Sequence, residues 1–374
     1  MKLRCERDVL VEALSTAGRA VASRGGALPV LSGVRLEVKG DQLHLAGSDL
    51  DLTIQVEVTV AGQDDGICVI PARLAADIVR SLEAGAVTIE SDDDEVRIAS
   101  GRSQFAVRML PADDFPRLPL LPGAPVANET SDAVTLPGAA LADALRQVVR
   151  AAGSDDARPV LTGVLMAAEG DGLRLVATDS YRLALRDLPG TSVLREGQSV
   201  LVPSRSLAEL QRLLTGAEDV TLRLGEHDAT FQVGDVRLTT RLIEGEFPNY
   251  RALLPSSYPN RLIVGKEALL DALRRVRLLA RDQTTAQVRI NQRPDGIELT
   301  VLAQEVGQAT EEVDAKFEGT ELTVAFNPNY LIEGVEAVTG DEIQLETIDA
   351  FKAAILRGTE AGDYLYLLMP IRVS

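Results

Sequence analysis

The amino-acid sequence repeats itself at a spacing of 130 residues, and this repeat restricts the fold more than any other feature of the chain. The segment PVLSGV at 29–34 returns as PVLTGV at 159–164. Between residues 29 and 49, ten of 21 positions are identical to those 130 residues later, without a gap. A fainter third copy follows, where DGIEL at 295–299 matches DGLRL at 171–175. The chain therefore contains three related segments.

A repeat of this length corresponds to a whole domain rather than to the unit of a solenoid, whose period is about 20 to 50 residues. The chain has 374 residues, enough for several hydrophobic cores. We therefore expect three copies of one domain, at residues 1–127, 128–255 and 256–374. Such a chain is expected to act through the arrangement of its copies.

Hydrophobic periodicity predicts the same succession of elements in each copy. In the segment 139–151, Leu141, Leu145 and Val148 recur at helical spacing. Alternating strands follow, as at 172–177, and a second helix then begins at a proline. These prolines are Pro71, Pro203 and Pro328. Further strands are predicted at 87–109, 220–242 and 343–369. The predicted fold class is α+β, with two helices against antiparallel sheets in each of three repeated domains.

The composition narrows the possible functions. The formal net charge is −18 and aromatic residues make up 3% of the chain, a balance that usually argues against a nucleic-acid partner. Cys5 and Cys68 lie in apolar segments without ligand spacing, so we expect buried, reduced thiols, no metal and no cofactor. The first residues lack a signal-peptide pattern, and no run approaches the roughly 18 apolar residues of a membrane span. We expect a cytoplasmic protein with no membrane partner.

The charge is unevenly distributed along the chain. The six predicted helical segments carry 14 basic and 9 acidic residues, whereas the rest carries 24 basic and 47 acidic residues. These segments are 7–24, 72–82, 137–152, 204–215, 266–281 and 327–339. Because screening limits each charge to about 10 Å, basic helices on an acidic body can still contact phosphates. Such contacts would be blind to base sequence. On charge alone, ordinary solvated helix faces are the favoured explanation of the pattern.

Catalytic signatures are scarce. The sequence has no GxxxxGK[ST] loop and no GxSxG elbow, and its two histidines offer few general bases. The acidic run 92–95 is expected in a hairpin turn, although it leaves open an acidic metal-dependent hydrolase as an alternative. Asp49 and Asp179 occupy equivalent repeat positions at strand ends, which favours a role in capping turn amides. The sequence therefore predicts a protein that is not an enzyme.

Five motifs, in all three copies and over essentially the full length, resemble the bacterial sliding clamp family, the β subunit of the replicative DNA polymerase. They are SGRSQF at 100–105, ATDSYRL at 177–183, GEFPNYR at 245–251, FNPNYL at 326–331 and YLLMPIRVS at 366–374. The last is most similar to clamps of high-GC Gram-positive bacteria. The resemblance implies a head-to-tail homodimer whose six domains close into a ring around duplex DNA. It also implies a processivity factor without catalysis, opened by an ATP-driven clamp loader.

The resemblance implies roles for two sets of residues. The residues facing DNA would be Arg24, Arg73, Arg80, Arg150, Arg158 and Arg205. The dimer interface would contain Leu74, Ile78, Leu82, Phe105 and Val107 of one chain, facing Leu278 and Leu279 of the other. Leu74, Ile78 and Leu82 form a single helical stripe, so periodicity alone is equally compatible with an internal core.

The resemblance also implies a partner pocket between the second and third domains. Its residues would be Leu161, Thr178, Ser180, Tyr181, Arg182, Leu183, Pro248, Leu253, Leu367, Leu368, Met369, Pro370, Ile371 and Arg372. In the family, this pocket holds Gln-Leu-x-Leu-Phe-like peptides of the replicative DNA polymerase, the clamp loader, repair polymerases and ligase. The residue types fit this role, because apolar walls can bury Leu and Phe side chains.

Three positions depart from the family pattern. Ser180-Tyr181 stands where members often have a small residue followed by histidine or an aromatic residue, Ala252 replaces a frequently long polar residue, and Ser374 extends the tail. These departures leave a second interpretation open. In it, the chain is a diverged clamp paralogue whose altered pocket confers tolerance to an antibiotic directed at the clamp.

Overall fold

The computed structural model describes residues 1–22, 28–92, 94–116, 133–255, 257–280, 287–303, 306–360 and 362–372. The chain forms two compact units. Unit 1 consists of Met1–Ala139 with Glu209–Leu242, and unit 2 consists of Ala140–Ala208 with Ile243–Ser374. The central third of the chain is thus divided between them. The domain boundaries predicted after residues 127 and 255 touch residues outside the described ranges and stay predictions.

In the N-terminal third, two helices alternate with nine strands among the described residues. The elements are β1 (Lys2–Glu6), α1 (Arg7–Ala17), β2 (Gly33–Lys39), β3 (Gln42–Ser48), β4 (Leu52–Thr59), β5 (Ala61–Asp64), β6 (Gly66–Pro71), α2 (Ala72–Ser81), β7 (Ala86–Ser91), β8 (Glu95–Ser100) and β9 (Ser103–Arg108). Pro71 ends β6 directly before α2, which suits a residue with fixed φ and no N–H.

The central third follows the same order. Its elements are β10 (Val134–Pro137), α3 (Gly138–Val148), β11 (Gly163–Glu169), β12 (Gly172–Thr178), β13 (Arg182–Leu188), β14 (Ser199–Pro203), α4 (Ser204–Leu213), β15 (Asp219–Leu224), β16 (Asp228–Val233) and β17 (Val236–Arg241). The apolar stripe predicted for α3 is confirmed, because Leu141, Leu145 and Val148 are all buried.

The C-terminal third repeats the order once more. Its elements are β18 (Asn260–Gly265), α5 (Lys266–Val276), β19 (Val288–Arg293), β20 (Gly296–Ala303), β21 (Gly307–Val313), β22 (Ala315–Glu318), β23 (Leu322–Phe326), α6 (Pro328–Ala337), β24 (Glu342–Thr347), β25 (Ala354–Gly358) and β26 (Tyr364–Leu368). Pro328 is the first residue of α6, and the Asn327 side chain caps that helix by accepting from the Asn329 and Tyr330 amides.

Each third consists of two halves, in which a strand and a helix precede three antiparallel strands. The first halves centre on α1, α3 and α5, and their last main strands are β4, β13 and β21. The second halves centre on α2, α4 and α6, and end with β9, β17 and β26. The predicted α+β class with three repeated domains is confirmed. The sequence repeat did not reveal the finer halves, because these share a pattern of apolar positions rather than residue identities.

Unit 1 contains a five-stranded sheet, β5-β1-β7-β8-β9, and an eight-stranded sheet, β10-β15-β16-β17-β4-β3-β2-β6. The larger sheet joins the central and N-terminal thirds where β17 pairs with β4, with Leu238 opposite Ile54. Cys5 and Cys68 are buried free thiols, as predicted, and burial raises the pKa of Cys68 to about 12.

Unit 2 contains a nine-stranded sheet, β14-β11-β12-β13-β26-β25-β24-β18-β22, and a four-stranded sheet, β21-β20-β19-β23. The larger sheet joins the central and C-terminal thirds where β13 pairs with β26, with Leu183 opposite Leu367. Both joints follow the same pairing rule. The last main strand of the first half of one third (β4 or β13) pairs with the last strand of the second half of the following third (β17 or β26).

Candidate functional site

The joint between β13 and β26 supports an apolar cluster on one face of the nine-stranded sheet. In register, Leu183 lies opposite Leu367, and Leu367 lies opposite Ile355 of β25. The pocket cluster, as we call it, consists of Val176, Leu183, Leu185, Tyr250, Ile355 and Leu367, all buried. Partly buried side chains pack against it, namely Leu165, Phe247, Leu254, Tyr258, Ala353 and Leu365. Sequence reasoning missed Tyr250, although the GEFPNYR motif contained it.

Three large apolar side chains stay exposed on segments next to this cluster. The exposed fractions are 61% for Tyr181, 52% for Leu253 and 41% for Met369. The Met369 amide donates to the Tyr181 carbonyl at 2.9 Å, which ties the C-terminal tail to the turn between β12 and β13. Exposed apolar groups around a buried apolar floor are what a site for apolar ligand side chains requires.

The turn at 179–182 is held by a side chain. The Asp179 carboxylate accepts from the Tyr181 amide at 2.9 Å and from the Arg182 amide at 3.0 Å. Ser180 between them has φ +78°, a left-handed conformation that is unfavourable for residues other than glycine. The predicted capping role of Asp179 is confirmed, and the turn sets the position of Tyr181.

Side-chain alternation separates two neighbouring pairs of predicted pocket residues. Leu183 and Leu367 belong to the pocket cluster. Arg182 lies opposite Leu368 in the register, and successive strand residues point to opposite faces, so this pair lies on the helix side of the sheet. Leu368 is 1% exposed there. Leu183 and Leu367 therefore lie in the pocket cluster, whereas Arg182 and Leu368 lie on the opposite, helix-facing side of the sheet.

A cleft of about 230 Å³ opens beside the same turn. Leu161, Tyr181 and Arg182 line it together with Arg158 and Tyr330. Four predicted residues, including Arg158 of the DNA-facing set, thus meet here. Tyr330 was not predicted, although the FNPNYL motif contained it. The cleft has a mixed lining, because Asp155 and Asp179 line it beside these apolar and aromatic side chains.

The segment 247–254 packs against the pocket cluster and is held in place by ion pairs. Arg251 bonds the Glu169 carboxylate at 2.5 and 3.3 Å. Arg174, with 15% of its side chain exposed, bonds Asp187 at 2.6 and 2.8 Å and Glu169 at 2.9 Å. The bond from Arg251 lowers the pKa of the Glu169 carboxyl. These charges hold the segment against the sheet.

The remaining predicted pocket residues lie in the same region. Thr178 is buried and donates to the Arg182 carbonyl at 2.6 Å, and Pro248 is exposed. In the tail, Pro370 and Ile371 are half-buried and Arg372 is exposed. The Ile371 amide donates to the Ala325 carbonyl at 2.8 Å, which anchors the tail to β23. Ser374 lies outside the described residues.

The predicted DNA-facing arginines all lie at the surface where the structure describes them. Arg73, Arg80, Arg150, Arg158 and Arg205 are exposed, and Arg24 lies outside the described residues. Arg73 is 95% exposed at its side chain, whereas Arg80 donates to Ser15 of α1 at 3.2 Å. Arg150 pairs with Glu336 of α6 at 3.2 Å. The acidic residues of α6 thus neutralise neighbouring arginines.

The residues predicted at the dimer interface divide into exposed and buried groups. Leu74, Phe105 and Leu278 are 48%, 38% and 57% exposed, and Leu279 is half-buried. Ile78, Leu82 and Val107 are buried within the chain. Phe105 and Val107 belong to β9, which is an edge strand of the five-stranded sheet. The stripe on α2 therefore serves the core at two positions and the surface at the third.

The acidic run 92–95 joins β7 and β8 as a hairpin, as predicted, with the Asp92 amide bonded to the Glu95 carbonyl at 2.9 Å. Asp93 lies outside the described residues. In the part of the chain that the structure describes, no group of three or more His, Cys, Asp or Glu residues is placed to hold a metal ion. Within the same ranges, no helix is long and apolar enough to cross a membrane.

The fold and the site define a protein of repeated α+β domains with a buried apolar cluster and exposed apolar side chains at a sheet joint. Family models of the DNA polymerase III beta subunit match its three domains: the N-terminal at residues 1–119, the central at 135–249 and the C-terminal at 251–372. The chain belongs to the DNA polymerase III beta subunit family, the beta sliding clamps.

Relatives match the chain over its full length. The beta sliding clamp of Streptomyces coelicolor is 36% identical over 386 residues, covering all of both chains. The clamp of Staphylococcus aureus is 30% identical over 383 residues, covering all of this chain and 99% of its own. Among solved structures, the Bacillus subtilis clamp has a TM-score of 0.90 at 30% identity, covering both chains completely. The clamp of Bartonella birtlesii, solved with griselimycin bound, has a TM-score of 0.91 at 30% identity, again covering both chains completely.

Proposed function

We propose that this clamp encircles duplex DNA as a head-to-tail homodimer and holds the replicative polymerase and other partners through the apolar pocket of unit 2. It acts without catalysis, without a cofactor and in the cytoplasm. The observation that carries the proposal is the joint of β13 and β26, where a buried apolar floor is surrounded by exposed Tyr181, Leu253 and Met369. A protein that needs only to encircle and tether requires no active site.

The pocket suits a short peptide with two apolar side chains. Burial of apolar surface contributes about 25 cal/mol per Å², so a Leu and a Phe side chain together supply a useful affinity. Met369 on the rim is unbranched and adapts to ligands of different shape. The tail that carries it is fixed at Tyr181 and at Ala325, so the rim needs little ordering on binding. The pocket therefore fits several partners that share one motif.

The test is a fluorescence-anisotropy titration of a labelled Gln-Leu-x-Leu-Phe peptide onto the purified protein. We expect saturable binding at micromolar concentration or tighter, and its loss in the Leu183→Ala, Met369→Ala double variant. Val9→Ala is the matched control, because Val9 is also an exposed apolar residue, at 44%, but lies on α1 of unit 1. A protein that stays dimeric but binds no peptide would contradict the pocket and favour the diverged paralogue.

Sheet topology supports ring closure by two chains. Among the described residues, the two joints within the chain give sheets of eight and nine strands, and the two remaining sheets have five and four strands. The smaller sheets end in β9 and β21, which are edge strands with mostly exposed residues. β9 ends a second half and β21 is the last main strand of a first half. The pairing rule of both joints therefore predicts that β21 of one chain pairs with β9 of another.

The same rule predicts the register of this pairing. At the first joint, the Glu57 amide donates to the Asp235 carbonyl, and Leu238 lies opposite Ile54. Equivalent positions in β9 and β21 follow from aligning the hairpins of the three thirds. With the register of the first joint, this alignment places Phe105 opposite the partner's Ala309 and Arg102 opposite the partner's Glu312. Glu312 lines a groove of about 400 Å³ with four further carboxylates and two arginines. An exposed arginine meets an acidic groove in this register.

Disulfide cross-linking tests the register. Ala106 would lie opposite the partner's Gln308, and both residues are exposed. Opposed residues of antiparallel strands have Cα atoms about 5.5 Å apart, within the range of a disulfide. The Ala106→Cys, Gln308→Cys variant should form a covalent dimer on oxidation. Ala106→Cys with Glu312→Cys, four residues further along β21, is the control and should not. Equal cross-linking of both variants, or of neither, would contradict the register.

The hydrolase alternative has no support in the family or in the fold. Asp92 lies in a hairpin and is 3.6 Å from Arg97, an arrangement that neutralises charge rather than gathering metal ligands. Duplex DNA incubated with the protein and Mg²⁺ should stay intact. Cleavage that Asp92→Asn abolishes would restore the alternative.

A further inference from the structure

Arg182 is the most heavily bonded charged side chain near the pocket, yet it is on the side of the sheet away from the pocket cluster. Arg182 as a whole residue is 8% exposed. Its Nε donates to Asp179 at 3.1 Å, and its Nη1 donates to Glu333. Its Nη2 donates to the Arg150 carbonyl at 2.5 Å. Every nitrogen of the guanidinium group therefore already has an oxygen partner within the protein.

These partners belong to three separate elements. Asp179 is in the turn that carries Tyr181, Glu333 is on α6, and Arg150 follows α3. The guanidinium also lies 4.2 Å from the centre of the Tyr330 ring, a cation–π contact with α6. Burial by itself would lower the pKa of Arg182, but Tyr366 and Glu333 raise it above its ordinary value, so its charge is permanent. One side chain thus connects the rim of the pocket to two helical elements behind the sheet.

The space around Arg182 makes this connection dependent on its charged partners. A cavity of about 140 Å³ borders Arg182, Glu333 and Gln147, so the bonds are not enclosed by tight apolar packing. If the charges are removed, the cavity provides room for the turn to move. The Tyr181 carbonyl, which accepts from the Met369 amide, would move with it.

We propose that Arg182 is a positioning residue for partner binding: it holds the turn at 179–182 against α6, and thereby fixes the rim formed by Tyr181 and Met369. It does not contact the peptide with its guanidinium group. The inference rests on the proposed peptide-binding function. It assigns a role in affinity to Glu333, a residue on a helix behind the sheet.

A double-mutant cycle with the labelled Gln-Leu-x-Leu-Phe peptide tests the proposal. Glu333→Gln should raise the Kd about three- to thirtyfold, which is within the range observed for coupled residues. Arg182→Met should raise it at least as much, and the double variant should be no weaker than Arg182→Met alone. Arg182→Lys, which keeps the charge, should recover part of the affinity. Glu37→Gln is the matched control, because Glu37 pairs with Arg35 at 2.8 Å on β2 in the eight-stranded sheet of unit 1, and it should leave the Kd unchanged.

The outcomes separate positioning from other roles. An unchanged Kd for Glu333→Gln, with a weaker Arg182→Met, would show that Arg182 contacts the peptide directly. A lower Tm with an unchanged Kd in both variants would show a purely structural role. Either result overturns the proposal. If Arg182→Met does not fold, hydrogen exchange at the amides of 179–182 in Glu333→Gln gives the answer, because it should rise without faster exchange elsewhere. Absence of peptide binding by the wild type would instead contradict the proposed function.

Discussion

The two sheet joints of the chain have the same backbone and different chemistry. In unit 1, Asp49 accepts from the Asp51 and Leu52 amides at 3.1 and 2.8 Å, as Asp179 does for its own turn in unit 2. The Arg241 amide donates to the Asp51 carbonyl at 2.9 Å, the same bond and distance as from Met369 to Tyr181. Leu50, like Ser180, has a positive φ, at +82°.

The side chains at these equivalent places diverge. Thr53 and Thr239 face each other in unit 1, where unit 2 has Leu183 opposite Leu367. Arg241 stands in the place of Met369. The joint itself is thus a property of the repeated backbone, whereas the apolar residues that motivate the proposed pocket occur at the second joint. The proposed peptide site therefore belongs to the joint of unit 2 and not to that of unit 1.

The largest expected effect comes from exchanging the residues at the centre of each joint. Leu367→Thr in unit 2 should lower the free energy of unfolding by about 2–3 kcal/mol and abolish peptide binding, because Leu367 is 3% exposed at the centre of the floor. Thr239→Leu in unit 1 should change stability by less than about 1 kcal/mol and leave peptide affinity alone, because Thr239 is half-buried. Denaturant unfolding and peptide anisotropy measure both. Peptide binding retained by Leu367→Thr would remove the distinction between the joints.

The next effect concerns the two capping aspartates. Asp49→Ala and Asp179→Ala should each destabilise the protein by about 1–2 kcal/mol, because two turn amides lose their acceptor in either case. Only Asp179→Ala should also weaken peptide binding, since only its turn carries a pocket residue. Thermal unfolding and anisotropy titration of both variants test this. Equal peptide affinity of the two variants would show that the turn does not position the rim.

A smaller, stabilising effect is expected at the two positions with positive φ, Leu50 and Ser180. Leu50→Gly and Ser180→Gly should each change stability by no more than about 1 kcal/mol, in the stabilising direction, because glycine adopts positive φ without steric cost. Both should therefore raise the Tm slightly, as measured by calorimetry. Glycine also loses more entropy on folding, so a lower Tm in either variant would mean that the local strain is smaller than this cost.

The smallest expected effect is a pH-dependent contribution to stability that the joint of unit 2 has and the joint of unit 1 lacks. The bond from Arg251 lowers the pKa of Glu169 below its value in the unfolded chain. The stabilisation by this bond is therefore fully present at pH values above the unfolded pKa, and it is lost as the pH falls through the folded pKa. Unit 1 has Lys39 at the position equivalent to Glu169. Arg251→Ala should cost about 0.5 kcal/mol at neutral pH, an exposed pair being weak. The difference from wild type should vanish in acid. A difference that persists there would mean that Arg251 acts through its contact with the Tyr250 ring, whose centre is 5.3 Å from the guanidinium carbon.

The sequence predicted those features that depend on local pattern. Asp49 and Asp179 were identified as turn caps because they recur in register, and the α3 stripe followed from helical spacing. The halves within each third, and the rule by which strands pair across the joints, were not predicted, since pairing between distant strands leaves no mark on local periodicity. Arg182 was assigned to the pocket by position. Its place behind the sheet depends on the side-chain alternation in β13, which sequence alone leaves undefined at a strand's first residue.

The two unlike edges β9 and β21 have a further consequence for assembly. An edge that pairs only with a different edge builds a directional, head-to-tail chain of copies, and this pairing alone does not limit the number of subunits. Whether such a chain ends as a closed ring or continues as a filament depends on the rotation from one edge to the other. If β9 and β21 pair as proposed, a change in the orientation of one third relative to the next, far from either edge, is therefore expected to give a fibre instead of a ring without weakening any contact between subunits.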